Sequence, residues 1–277
     1  MERISNKIRP RQATASVGIT LLVLCILFYG CTSRESPQLH SLTIAAAADL
    51  HYALDETIKT FKASNPDVDI KTVYGSSGNF YTQISNAAPF DLFMSADMEY
   101  PRKLIQEGFA IEGTEFEYAV GRLVLWTLKS SPIDVERAGM DAITDPRVKK
   151  FSIANPQHAP YGRNAVAAMQ KFGVYEKITD RLVFGENVSQ ALEFIQAGAA
   201  DAGIVAMSLA TAPPVKVQGK YFEIPLDSYP RMNQGGVILK QVRERDAANR
   251  FCQFVLSPQG TTIFKQFGFY LPEEKQQ

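Results

Sequence analysis

Apolar and polar positions along this chain fall into short blocks whose period alternates between that of a strand and that of a helix. Residues 41–47 (SLTIAAA) form an apolar run of strand length. Leu50, Ala53, Leu54, Ile58 and Phe61 then recur at helical spacing, which predicts a helix over 50–63. Residues 68–74 alternate and are rich in β-branched side chains, 75–78 (GSSG) read as a turn, and a helix is predicted to follow through Ile84. Residues 90–94 read as a third strand, and 100–106 as a short helix stopped by Gly108. Further on, 116–128 (FEYAVGRLVLWTL) reads as one long apolar strand. Shorter strands are predicted at 151–154, 182–184, 203–206, 215–224 and 236–239, with helices at 164–172, 188–196 and, as one or two pieces, 245–267.

Strands alternating with helices through tight loops predict an α/β fold with parallel sheets built from βαβ units. The long strand near residue 120 and the Pro213-Pro214 pair are natural crossover points. The expected organisation is one lobe from 41–120 plus 216–277 and a second from 121–215. A ligand cleft then lies between them at the carboxyl ends of the strands.

The first 31 residues stand outside that pattern. Arg3, Lys7, Arg9 and Arg11 precede an uninterrupted run at 17–29 (VGITLLVLCILFY), the length of a signal-peptide core rather than of a membrane span. Phe28-Tyr29-Gly30-Cys31 closes it and resembles a bacterial lipobox, with Phe28 and Tyr29 departing from its usual Leu and small residue. The expectation is export, lipidation at Cys31, and a polar tether over 32–40. Of the three cysteines, Cys25 leaves with the signal and Cys31 carries lipid, so Cys252 stands alone, with no disulfide partner, as a buried core thiol.

Lys+Arg and Asp+Glu both number 29, so formal charge is balanced; a nucleic-acid binder normally carries a basic excess. Neither a phosphate-binding P-loop, a dinucleotide fingerprint nor a G-x-S-x-G elbow is present. His40, His51 and His158 have no metal-ligand spacing; Asp91 and Asp97 read as local caps or bridges, and Arg163 reads either as a residue behind the ligand loop or as a solvated helix residue.

What does recur is a strand end, a small-residue turn and a helix start. It occurs at 46–50 (AAADL), 74–79 (YGSSGN), 155–163 (NPQHAPYGR) and 185–189 (GENVS). Each helix start presents free N–H groups and the positive end of the helix dipole, which makes an anion site. Ser77 adds a hydroxyl, and Tyr161 offers a second.

The stretch from IAAAADL through GSSG to PFDLFMSAD resembles the N-terminal half of bacterial molybdate-binding proteins, the periplasmic solute-binding components of molybdate ABC transporters. Asn155-Pro156, PYGR at 160–163, ENVSQAL at 186–192, GIV at 203–205, and SPQG at 257–260 followed by Phe267-Gly268-Phe269 fall in that family's order and spacing. The resemblance spans about residues 41–270. It implies a two-lobed periplasmic-binding-protein fold of type II, no cofactor, no chemistry on the ligand, a monomer, and a membrane permease as partner. It also implies molybdate or tungstate as ligand, held by Asp49, Ser77, Tyr161 and the Val188 amide. Ala206 stands where some members carry a tyrosine. Asp49 departs from the usual Ser, Thr or Asn: either it caps its own helix and offers only its amide, or it accepts a hydrogen bond from a protonated oxyanion such as phosphate. Iron binding through paired tyrosines and a hydrolase or transferase with Ser77 as nucleophile are the remaining alternatives.

Overall fold

The computed structural model describes residues 39–274. The signal-like segment, Cys31 and most of the tether lie outside the described residues.

Ten strands are described: β1 (His40–Ala47), β2 (Val68–Gly75), β3 (Leu92–Ser95), β4 (Phe116–Gly121), β5 (Leu123–Leu128), β6 (Phe151–Ala154), β7 (Leu182–Gly185), β8 (Ala202–Ala206), β9 (Gly219–Glu223) and β10 (Met232–Ile238). The helices are α1 (His51–Ser64), α2 (Ser77–Ser85), α3 (Glu99–Gln106), α4 (Val135–Ala138), α5 (Pro160–Lys171), α6 (Val188–Gln196), α7 (Met207–Ala210), α8 (Pro213–Lys216), α9 (Arg245–Leu256) and α10 (Pro258–Gln266).

The strands form two five-stranded sheets, ordered β2-β1-β3-β10-β4 and β7-β6-β8-β5-β9. Within each, the strands joined by helices are parallel: β1 with β2 and β3, and β6 with β7 and β8. The sheets are nevertheless mixed rather than parallel as expected, because β10 runs antiparallel to β3 and β4, and β5 antiparallel to β8 and β9. A helical crossover fixes strand direction within a βαβ unit; strands reached from the other sheet have none.

Residues 116–128 are not one strand. The chain breaks at Arg122, leaving β4 in the first sheet and β5 in the second, so the crossing near residue 120 is real. The return differs from expectation. Residues 213–216 are helical, with proline in the first turn, where its fixed φ suits a helix start. β9 pairs with β5 from Gly219 to Glu223, so sheet membership changes between Glu223 and Met232 and not at 216. His40, expected in the tether, already pairs with Val68 as the first residue of β1.

The interior follows from the strands. β3, β5, β6 and β8 are almost wholly buried, as inner strands of sheets covered on both faces must be. Trp126, Tyr118, Phe61 and Phe251 are among the largest fully enclosed side chains. Phe61 and Phe251 meet edge-to-face at 5.2 Å, which packs α1 against α9. Beside them Cys252 is partly buried rather than fully enclosed as expected, has no disulfide partner among the described residues, and desolvation pushes its thiol up to about 12.

Candidate functional site

Four helix starts meet where the two sheets face each other. β1 ends in buried alanines, and a 3-10 turn, Ala48–Leu50, leads into α1. β2 ends at Gly75, Ser76 is extended, and α2 begins at Ser77. On the other side, α5 begins at Pro160, and α6 begins at Val188 behind Asn187, whose side chain caps it by accepting from the Ser189 and Gln190 amides. Asp49, Ser76, Ser77, Ala96, Tyr161 and Val188 share in lining one small cavity.

The backbone N–H groups of Ser77, Tyr161 and Val188 have no hydrogen-bond partner among the described residues, and that of Asp49 has only its own carboxylate within reach. All lie in first turns, whose amides have no intrahelical acceptor. The Ser77 hydroxyl accepts from the Ala96 amide at 3.0 Å and keeps its own proton free to donate. That amide is its only hydrogen-bond partner among the described residues.

Direct contacts join the two halves around this cavity. The Gly78 amide donates to the His158 carbonyl at 2.9 Å, Ser189 Oγ to the Ala48 carbonyl at 3.0 Å, and Ser208 Oγ to the Asp49 carbonyl at 2.7 Å. Gly78 is required here: a Cβ would lie 2.6 Å from the His158 oxygen. At the rim, Arg163 donates to Asp97 at 2.6 Å and to the Tyr100 hydroxyl at 3.0 Å, and Asn79 donates to Glu186 at 3.1 Å. Arg163 and Asp97 thus bridge the halves, and Asp97 also caps locally as expected, its Oδ1 accepting from the Glu99 amide at 2.9 Å. Asp91 does bridge, accepting from the Thr43 and Arg243 amides.

Asp49 does not cap its helix. Its side chain is enclosed, and Oδ2 accepts from the Tyr161 hydroxyl at 3.0 Å and from Gln234 Nε2 at 2.7 Å; Gln234 Nε2 also reaches the Tyr161 oxygen, at 3.1 Å. Desolvation pushes the carboxyl up from 3.8 to about 6, with the bonds from Gln234 and Tyr161 opposing. Burial and the nearby Asp49 charge raise Tyr161 well above the ordinary tyrosine range, so its phenol stays protonated. Its single O–H donor is spent on Asp49, leaving the amide as the group Tyr161 can offer the cavity. Gly121 makes room for this arrangement, since a Cβ there would sit 2.6 Å from both the Tyr161 hydroxyl and Gln234 Nε2.

Two participants escaped the sequence reading. Ser76 Oγ is buried without a partner beside Ser77, and the doubled serine in GSSG was the available signal. Gln234 lies at a register shift in β10, 185 residues from Asp49, and no local pattern marks it. His51 stacks on Tyr52 away from the cavity, and His158 Nε2 bonds the Glu186 carbonyl. Among the described residues, no group of three or more His, Cys, Asp or Glu is placed to hold a metal ion.

A wider, open cleft adjoins the cavity and is lined by Arg102, Lys103, Arg163 and Arg231. Three of these are already paired, with Glu117, Glu99 and Asp97. The smaller cavity, with its converging unpaired donors, is the better candidate site.

Known proteins are similar to this chain in sequence and in fold. The sequence profile of the bacterial extracellular solute-binding proteins matches residues 42–270. The molybdate-binding protein ModA of Rhodobacter capsulatus is 41% identical over 196 residues, 71% of this chain and 75% of that protein. ModA of Azotobacter vinelandii is 34% identical over 234 residues, 84% of this chain and 91% of that one. The solved periplasmic molybdate-binding protein of Azotobacter vinelandii superposes with a TM-score of 0.78 at 32% identity, covering 84% of this chain and all of that one. The sulfate-binding protein SubI of Mycobacterium tuberculosis, 16% identical with a TM-score of 0.71, shares the fold. With its two mixed sheets and the donors converging between them, the chain belongs to the bacterial extracellular solute-binding protein family.

Proposed function

We propose that this protein captures a tetrahedral oxyanion, molybdate or tungstate, outside the cytoplasm and delivers it to the permease of an ABC importer. The observation that carries the reading is the convergence of uncharged donors from four helix starts on one small buried cavity. The Asp49, Ser77, Tyr161 and Val188 amides and the Ser76 and Ser77 hydroxyls would ligate the anion. Neutral donors and helix dipoles stabilise a dianion without burying a countercharge. The names of the relatives above support molybdate as the ligand. Contacts such as Gly78 to His158 belong to a closed state of the two lobes, and closure around the ligand creates the surface that docks on the permease.

Calorimetric titration of the protein with molybdate, tungstate, sulfate and phosphate tests this. Tight binding of the first two with little response to the others is expected, and preference for phosphate would overturn it. We further propose that Cys31 is the lipidated N-terminus of the mature protein, supported by the basic head, the apolar run and the Gly30-Cys31 junction. Metabolic labelling with radioactive palmitate should mark the wild type and not Cys31→Ala; equal labelling of both would reject the anchor.

A further inference from the structure

The hydrogen bonds around Asp49 are distributed unevenly. Oδ2 accepts from two donors, Tyr161 and Gln234, while Oδ1 is buried with no partner. An ionised carboxylate spreads its charge over both oxygens and seeks donors at both. A neutral carboxyl is asymmetric: its carbonyl oxygen accepts twice, and its hydroxyl needs one acceptor. The pattern matches the second form, with Oδ2 as carbonyl and Oδ1 as a hydroxyl whose acceptor is not supplied by the protein.

The surrounding charges agree. Tyr161 on α5, Tyr118 on β4, Gln234 on β10, Ser208 on α7 and the serines at the start of α2 are the polar groups around Asp49; all are uncharged, the two tyrosines being held protonated. Among the described residues, no Lys, Arg or His forms an ion pair with it. An ionised Asp49 beside a dianion would place three negative charges in one desolvated cavity without a cation.

We propose that Asp49 is a neutral carboxylic acid in the liganded protein, its Oδ1 holding a proton taken from solvent and donating it in a hydrogen bond to an oxygen of the bound oxyanion, so that capture of one dianion takes up one proton. This rests on the oxyanion reading above and makes Asp49 the residue that selects a fully deprotonated anion: a ligand that keeps its own proton would compete for the same hydrogen bond. In the unliganded protein the carboxyl titrates at about 6, so uptake is largest above that pH. A more acidic medium favours loading and a more alkaline one release.

The test is calorimetry on the full chain in detergent micelles, titrated with molybdate at several pH values from 6 to 8.5 in buffers of different ionisation enthalpy. At pH 8 the buffer dependence of the heat should report close to one proton taken up per anion. Affinity should fall about tenfold per pH unit above 7, the slope of a single linked proton. In Asp49→Asn the amide oxygen can accept from Tyr161 and Gln234 while its NH2 stands in place of the Oδ1 hydroxyl. That variant should lose both the proton uptake and the pH slope and bind more tightly than wild type at pH 8. Wild-type binding with a pH-independent affinity and no buffer dependence would overturn the proposal. So would an unchanged slope in Asp49→Asn, which places the proton elsewhere, or tight phosphate binding without uptake, which makes Asp49 an acceptor. If none of the four oxyanions binds, the oxyanion reading itself fails and this proposal with it.

Discussion

Asp49 concentrates the chemistry of the site at the scale of one residue. In the unfolded chain its carboxyl ionises near 3.8, and in the folded protein near 6, because burial removes water from the charged form. Between those values the folded state holds a proton that the unfolded chain has released. Its stabilising effect is complete below pH 3.8 and is lost as pH rises through about 6, a change of roughly 3 kcal/mol. Urea unfolding of the ligand-free protein at pH 4.5 and 7 should therefore show wild type losing stability relative to Asp49→Asn as pH rises. A gap that stays constant with pH would contradict the buried, unpaired carboxyl. Residue identity alone left two roles open for Asp49, capping and accepting from a ligand. The structure excludes capping, because the carboxylate lies against Tyr161 and Gln234.

At the scale of elements, the site is a set of helix starts. α6 isolates one of its donors well: Val188 is the first helical residue, its amide has no partner among the described residues, and Asn187 before it is extended at φ −143° and ψ 178°. That is the backbone a residue preceding proline prefers, and proline is favoured at the first helical position. Val188→Pro should thus delete one N–H donor and leave the helix intact. Molybdate affinity is expected to fall by about 1 to 3 kcal/mol, the usual effect of removing one partner of a buried hydrogen bond, with the melting temperature nearly unchanged. Full affinity in a folded Val188→Pro protein would remove this amide from the site. Such starts were legible beforehand, since small-residue turns after apolar runs are a local signal. Their exact limits were less so: α5 begins at Pro160, ahead of the predicted 164, because a proline can open a helix.

At the scale of the whole molecule, the described residues bring one sheet and its helices into direct contact with the other. Gly78 sits at the tightest backbone approach, where a Cβ would meet the His158 oxygen at 2.6 Å and its Cα at 2.9 Å. Neither backbone atom can yield without separating the halves. Gly78→Ala should weaken molybdate binding by about tenfold or more, equivalent to about 1.4 kcal/mol. Small-angle scattering should show the wild type compacting with ligand and the variant compacting less. Unchanged affinity and compaction would mean that closure does not pass through this contact.

What the sequence determined by itself was everything carried by local period and local chemistry: the alternation of strand and helix, the α/β class, the crossing near residue 120, and the helix starts bearing Asp49, Ser77, Tyr161 and Val188. These depend on side chains a few positions apart and on backbone geometry that a short segment sets alone. Tertiary structure decided the direction of β5 and β10, the placement of β9 with the second sheet, and the return after Glu223 instead of at 216. It also decided that Gln234 would meet Asp49 and Tyr161, and that one carboxyl oxygen would be left without a partner. Pairing between strands distant in sequence and contact across 185 positions are settled by which faces must be buried together, and no window of sequence contains that information.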